Sequence, residues 1–229
     1  MMIRPHRGPH LLRFGIRVVT PPTQEQIDVD EAKAHLRVNY TQEDAWFDSF
    51  IPVAREMCEQ YLAIAIAPQT LEFWADSFPS SEYHHPAAGE FDFSSVGEYG
   101  VLLPMGPITD LVSVSYYDTT GTLQVMDPAG YFLDDVAQPS ALYPVDLVGP
   151  WPDTWQIQSA VRIRFDAGYD KPMTSPAVNP MPESVKAAML LTLGHLHENR
   201  EDTTTLKLAK IPSGAQSLMD PYCLRKRFA

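Results

Sequence analysis

Apolar positions recur along this chain with two different periods, and the change of period divides it. In residues 182–200, PESVKAAMLLTLGHLHENR, Val185, Met189, Thr192 and Leu196 fall at i, i+4, i+7 and i+11, one stripe of an α-helix. Ala188 and Leu193 widen the stripe. Leu190 and Leu191 carry apolar surface further round, so the helix is predicted to be touched on more than one side. Pro182 suits the first helical position, where its missing N–H costs nothing. Glu183 and Arg200 sit at the ends whose dipole charge each complements. Burying one large apolar side chain is worth roughly 1.5–3 kcal/mol. Several of them make this helix the predicted central pillar.

The helical period also runs near the start. Asp28 or Asp30 is placed to cap a short helix, EAKAHLRV, with Ala32, His35 and Leu36 on its buried side. Thr41 reads as the N-cap of a longer helix, with Asp44 three residues on in the capping-box place. Phe47, Phe50, Ile51, Ala54, Met57, Cys58, Tyr61 and Leu62 keep the period to about Ala65. Pro52 interrupts it and predicts a bend over 48–52, not an end, because the period resumes in phase.

From Pro68 the period is two. Residues 70–75, 101–104, 108–117, 122–126, 131–133, 141–143 and 161–165 read as strands. Asp118-Thr119-Thr120-Gly121 is the turn of a hairpin. Residues 11–19 allow one more short strand before Pro21 and Pro22. Residues 79–100 read as a loop, 170–182 as a proline-rich linker and 201–210 as a polar connection. A last short helix is expected over 215–219, then a basic tail.

This order predicts an α+β fold. A helical domain is built from both ends of the chain, residues 27–67 and 180–229, with a β-rich insertion, 68–179, between them and a basic extended arm, 1–26, in front. Composition sharpens the picture in one respect. Proline makes up 21 of 229 residues, about 9% against a usual ~5%, which favours turns, arms and edge strands over an all-helical fold.

Net charge is −12, and it is unevenly placed. Residues 1–19 hold Arg4, Arg7, Arg13 and Arg17 and no acid. Residues 207–229 hold Lys207, Lys210, Arg225, Lys226 and Arg227 against Asp220 alone. Residues 20–206 carry 28 acidic side chains against eight basic ones, a net −20. An acidic body with basic ends argues against a protein that grips duplex nucleic acid, which needs a basic face. It suits a body that repels nucleic acid and ends that seek acidic protein. Solubility alone also favours an acidic surface.

Candidate chemistry is sparse. His195 and Glu198, at i and i+3, are the best metal pair, but His197 points elsewhere and a site needs three or four ligands. Trp151 and Trp155 could form an aromatic platform for a sugar or base, or pack a loop onto a sheet. Cys58 and Cys223 lack CxxC spacing and read as free thiols of a reducing compartment. No GxSxG, P-loop, GxGxxG or HExxH occurs. No secretory leader is expected, since no apolar stretch follows the basic start. The apolar run 187–193 is far below the ~20 residues that span a bilayer. The chain is therefore expected to be no enzyme, to hold no cofactor and to contact no membrane.

The order of segments carries a resemblance. Asp30-Glu31-Ala32-Lys33-Ala34-His35-Leu36-Arg37-Val38, then Ala54-Arg55-Glu56 with Glu59 and Tyr61, resemble the opening of the head–tail connector (adaptor) proteins of tailed phages and phage-like gene transfer particles, in their long form. Pro104-Met105-Gly106-Pro107-Ile108 leading into 112–118, and Phe165-Asp166-Ala167-Gly168-Tyr169 with His197-Glu198-Asn199-Arg200, are similar to the closing half. The resemblance runs over about residues 27–224; the arm 1–26, the loop 79–100 and Pro52 depart from it.

The resemblance implies a structural virion protein at the neck, made in the host bacterial cytoplasm. Such proteins form a ring of about twelve copies beneath the portal protein. A stopper or tail terminator protein follows on the far side, and DNA passes through without being read. It implies portal contact by the C-terminal segment, Tyr222, Leu224, Arg225, Lys226 and Arg227. The arginines of the arm, Arg4, Arg7, Arg13 and Arg17, are expected to reach a neighbouring subunit or a tail protein. The competing expectation is a β-rich module that binds carbohydrate or protein without catalysis.

Overall fold

The computed structural model describes residues 14–79, 100–136, 138–145, 151–170, 179–200 and 211–224. Strand β1 (Phe14–Thr20) leads into helices α1 (Val29–Leu36) and α2 (Asp44–Leu62). Seven strands follow: β2 (Gln69–Ala75), β3 (Val101–Leu103), β4 (Ile108–Tyr117), β5 (Leu123–Val125), β6 (Tyr131–Asp134), β7 (Ser140–Pro144) and β8 (Val161–Ala167). Helices α3 (Glu183–Glu198) and α4 (Ser213–Met219) close the order. The protein is mixed α and β, with two antiparallel sheets among the described residues, in the orders β1-β2-β8-β4-β5 and β3-β7-β6.

Two apolar clusters organise it. One is helical: Phe47, Ile51, Cys58 and Leu62 of α2 meet Val185, Met189 and Leu193 of α3 and Ala215 and Met219 of α4. The other lies between the sheets, where Leu71, Phe73, Val114, Ile163 and Phe165 meet Leu103 and Leu142. The segment after α2 serves both. Ile64 and Ile66 point into the helical cluster, and Ala65 between them belongs to the β cluster.

The predicted pillar is α3, and Val185, Ala188, Met189, Thr192 and Leu193 of its apolar stripes are buried. Leu196 is only half-buried and Leu191 is 39% exposed, so one flank of the helix is left open. Pro182 stands one place earlier than expected. It is the cap, extended at φ −60° and ψ 135°, and its carbonyl takes the amides of Val185 and Lys186.

Three more local expectations are corrected. His35 is exposed, and Ala32 is the buried residue of α1; a ring on the outer side of an eight-residue helix needs no core partner. Of the two expected caps of α1 it is Asp28 that serves, accepting the Glu31 amide at 2.7 Å. Thr41 does not cap α2: the cap is Glu43, without a side-chain bond, and Asp44 is engaged by Lys33 at 2.7 Å. Helix α2 runs through Pro52 without ending, then stops at Ala63 (φ 57°), earlier than Ala65.

Strand β8 shows the expected alternation, with Val161, Ile163, Phe165 and Ala167 buried and Arg162, Arg164 and Asp166 turned to the other face. The hairpin turn forms as read: Gly121 takes φ 82°, and the Asp118 carboxylate accepts the amides of Thr120 and Thr122 at 2.9 and 3.0 Å. Side-chain hydrogen bonds from Thr120 and Gln124, helped by those amides, hold the Asp118 pKa down to about 2. The strand expected at the end of the arm also exists. It is an edge of the larger sheet, paired along β2 from Phe14↔Ala75 to Thr20↔Thr70. The loop 80–99, most of the linker and residues 201–210 lie outside the described residues.

Candidate functional site

Register places the chemistry of the larger sheet on its outward face. Arg17, Glu72 and Arg164 are cross-strand neighbours on β1, β2 and β8, and so are Gly15, Trp74 and Arg162. Glu72 Oε1 accepts Arg17 Nη2 at 2.7 Å and Oε2 accepts Arg164 Nη2 at 2.8 Å. Burial raises the Glu72 carboxyl pKa, but the hydrogen bonds from Arg164 and Arg17 outweigh it and hold the group below the ordinary range. The Trp74 ring carries two guanidiniums, Arg162 at 4.3 Å and Arg17 at 4.9 Å from its centroid. Arg162 also donates to the Tyr117 hydroxyl at 3.1 Å. Thr70, Asp166 and Asp110 line one end of this face.

A second polar group is buried where the helical cluster meets the sheet. Glu59 Oε1 accepts the Ile66 amide at 2.8 Å and Gln69 Nε2 at 3.0 Å. Its Oε2 takes Arg55 Nη1 at 2.7 Å, and Arg55 Nε reaches Glu25 at 2.9 Å. Burial is the largest influence on Glu59 and raises its pKa against the pull of Arg55 and the amides. Gln26, also buried, donates to the carbonyls of Tyr169 and Asp170 at 3.2 and 3.1 Å. Four chain segments are thus joined. Every polar partner here is satisfied from within the chain, so the group is architectural.

The C-terminal segment is pinned to α2. Tyr61 donates its hydroxyl to Asp220 at 2.5 Å, and Cys223 Sγ donates to the Tyr61 carbonyl at 3.2 Å. Leu224 is 2% exposed in the helical cluster, where its side chain anchors the segment. Tyr222 is half-buried against the same cluster. Arg225, Lys226 and Arg227 lie outside the described residues, as do Arg4, Arg7 and Arg13. Arg17, with its side chain 60% exposed, belongs to the sheet-face array.

The metal and platform candidates do not assemble. His197 is wedged against Phe47 and Trp46 and bonds Glu43 at 2.8 Å, while His195 meets Asn199. Hydrogen bonds from His197 and Arg200 lower the Glu43 pKa. Among the described residues no group of three or more His, Cys, Asp or Glu side chains is placed to hold a metal ion. Trp151 is 4% exposed and stacked on Phe78 at 4.6 Å, whereas Trp155 is 45% exposed and covers Gly121. They form no shared platform. Both cysteines are free, and burial pushes the Cys58 thiol up to about 11. No described helix is long and apolar enough to cross a membrane.

No family model matches the chain, and no curated protein matches it. Solved structures do. A chain of "Neck of empty GTA particle computed with C6 symmetry" is similar at 19% identity and TM-score 0.64, over 91% of this chain and 94% of that one. A chain of "Virion of native gene transfer agent (GTA) particle" follows at 20% identity and TM-score 0.62, over 90% and 94%. A chain of "Neck of native GTA particle computed with C12 symmetry" has 20% identity and TM-score 0.60, over 91% and 94%. The fold is that of a gene transfer agent neck chain. The likeness covers nine-tenths of the chain, so it concerns the architecture and not one motif.

Sequence reasoning missed the Trp74 array and the Glu59 junction. The alternation of Arg162 and Arg164 on β8 was the available signal for the first; Glu25-Gln26 beside the helix start gave none for the second.

Proposed function

We propose that this chain is a structural protein of a phage-like virion neck, a head–tail connector (adaptor) that forms a ring of about twelve copies beneath the portal protein. The observation that carries this reading is the fold likeness to gene transfer agent neck chains over nine-tenths of both chains. In this reading the chain is a helical connector domain with a β-rich insertion. It carries no catalysis and no cofactor, and it acts by joining capsid to tail.

The charge distribution supports the same role. A ring of bodies that each carry −20 over residues 20–206 lines its passage with negative charge. Duplex DNA is then repelled from the wall and stays mobile. The portal contact is assigned to Arg225, Lys226 and Arg227, with Tyr222 beside them, leaving from the anchor that Leu224 and Cys223 make against α2. The arm, with Arg4, Arg7, Arg13 and Arg17, reaches a neighbouring subunit or the stopper or tail terminator protein that follows. Basic ends on an acidic body favour acidic partners and fast docking.

The test is electron microscopy of this chain mixed with the portal protein of the same genome, each component alone as control. A ring stacked coaxially on the portal is the expected result. Two components that ignore each other across a range of salt concentrations overturn the reading.

A further inference from the structure

We propose that the cleft between the start of α1 and the first half of α2 is a subunit contact, which takes the basic N-terminal arm, residues 1–13, of a second copy of this chain. This deepens the ring reading above and rests on it for the identity of the partner.

The cleft has a volume of about 310 Å³. Ile27, Val29 and Ile51 are its apolar lining, and Ile27 and Ile51 root it in the helical cluster. Among the described residues its charged lining is Glu25, Asp28, Glu31 and Asp48, with no cation. Two cations reach these carboxylates from outside the cleft. Arg55 bonds Glu25 at 2.9 Å and Lys186 bonds Glu31 at 2.6 Å. Arg55 is shared with Glu59 at 2.7 Å and Glu56 at 3.7 Å. Six carboxylates thus share two cations, a formal excess of four negative charges. Asp28 accepts the Glu31 amide, and Asp48 has no hydrogen-bond or ion-pair partner among the described residues. A cleft that is apolar within and acidic at its rim pairs with an occupant that is apolar and basic in one stretch. A guanidinium fork is the best single match for a carboxylate.

Charge and length together select the occupant. Residues 1–13, MMIRPHRGPHLLR, hold Arg4, Arg7 and Arg13, five apolar side chains and no acid. The other basic end, residues 225–229, is RKRFA. Fully extended, thirteen residues reach about 45 Å and five about 17 Å. The C-terminal segment is pinned at Tyr61, and Ile51 lies ten residues back along α2, about 15 Å away. A five-residue tail is therefore spent before it fills the cleft, whereas the arm has reach to spare. The arm joins the body at Phe14, the far end of β1 from the cleft. Six residue steps, about 20 Å, separate Phe14 from Thr20, and the chain then runs on to Gln24 at the cleft. In its own cleft the arm would have to turn back and cover that distance again. The cleft of a second copy requires no reversal. The root of the arm and the cleft are different surfaces, so the contact is head to tail, the kind that closes into a ring when the rotation allows.

The test is photo-cross-linking of the full-length chain with benzoylphenylalanine in place of His6, between Arg4 and Arg7. Equal amounts of heavy-isotope and ordinary chain are mixed, with and without the portal protein, and the linked peptides are read by mass spectrometry. Links that join one heavy and one ordinary peptide, and that fall in residues 24–31 or 48–51, are the expected result. Asp48→Lys should lower their yield about fivefold, because it sets a cation against the arm where no described group depends on the carboxylate. Asp153→Lys makes the same charge change on an exposed residue outside the cleft and should leave the yield alone. Thermal melts establish that each variant is folded. Links within a single copy, links that fall elsewhere on the body or on the portal, or no link between copies in either mixture overturn the contact. So does a yield that Asp48→Lys leaves unchanged or that Asp153→Lys lowers equally. The portal arm separates the two readings. Links between copies in the cleft without portal docking uphold this contact and remove the neck role. Portal docking with the arm linked elsewhere overturns the contact and leaves the neck role standing.

Discussion

Glu59, in the last turn of α2, accepts the backbone amide of Ile66 at 2.8 Å and so ties the end of a helix to the chain's entry into the sheet. The other oxygen of the same carboxylate holds Arg55, whose side chain is 6% exposed. Removing one partner of a buried pair leaves the other charged and undersolvated. Glu59→Ala is therefore expected to lose about 3 kcal/mol of stability in urea unfolding, and Glu59→Gln less. A loss near zero would mean that Glu25 and Glu56 alone satisfy Arg55.

Helix α3 makes a directional prediction. Met189 is fully buried against α2, whereas Leu191, two residues on, is 39% exposed. Met189→Ala should cost about 2–5 kcal/mol and Leu191→Ala under about 0.5. Equal costs in thermal melts would show that the buried side of the pillar is wrongly placed. If Leu191→Ala leaves stability intact but weakens assembly, the open flank is a contact.

Two glycines should behave oppositely. Gly168 has φ +123°, and a Cβ there would lie 2.5 Å from the Ala67 carbonyl oxygen. That obstacle is backbone and cannot rotate away, so Gly168→Ala is expected to lose at least about 2 kcal/mol or to yield insoluble protein. Gly214, within α4, has open space at its Cβ position. Gly214→Ala should gain up to about 1 kcal/mol from helix propensity. Midpoints of chemical unfolding check both.

Acid should loosen β1 first. The Glu72 pKa is lower in the folded protein than in the unfolded chain, because Arg164 and Arg17 outweigh burial. Its contribution is complete above the ordinary glutamate value of about 4.3 and is lost as pH falls through the lower folded value. Hydrogen exchange over 14–20, corrected for the intrinsic rate, should accelerate in that window before α2 and α3 respond. The Glu72→Gln chain should lack the step; a step of the same size there would assign it to another group.

Truncation separates anchor from contact. Ala215, Met219, Cys223 and Leu224 are buried, so a chain ending at 210 should melt well below wild type. A chain ending at 224 keeps all four and should melt with wild type while losing portal binding. Unchanged portal binding by that chain would remove Arg225, Lys226 and Arg227 from the contact.

The local periods already hold the elements. Val185, Met189 and Thr192 at helical spacing, Arg162 and Arg164 alternating with apolar neighbours, and Asp118 to Gly121 as a turn were all legible, because each depends on residues within a few positions of one another. Helix ends were less so. His35 and Thr41 went astray because a side chain beside a chain reversal has several partners of similar worth, and packing chooses between them. What only the tertiary structure decided is which distant segments meet. Arg17 finds Glu72 55 positions on, and Arg164 finds the same carboxylate from 92 positions away. Nothing in either neighbourhood encodes that register. The sheet order β1-β2-β8-β4-β5 does, by setting three strands side by side so that their outward residues fall into rows. The Trp74 face and the Glu59 junction exist only through long-range pairing of this kind.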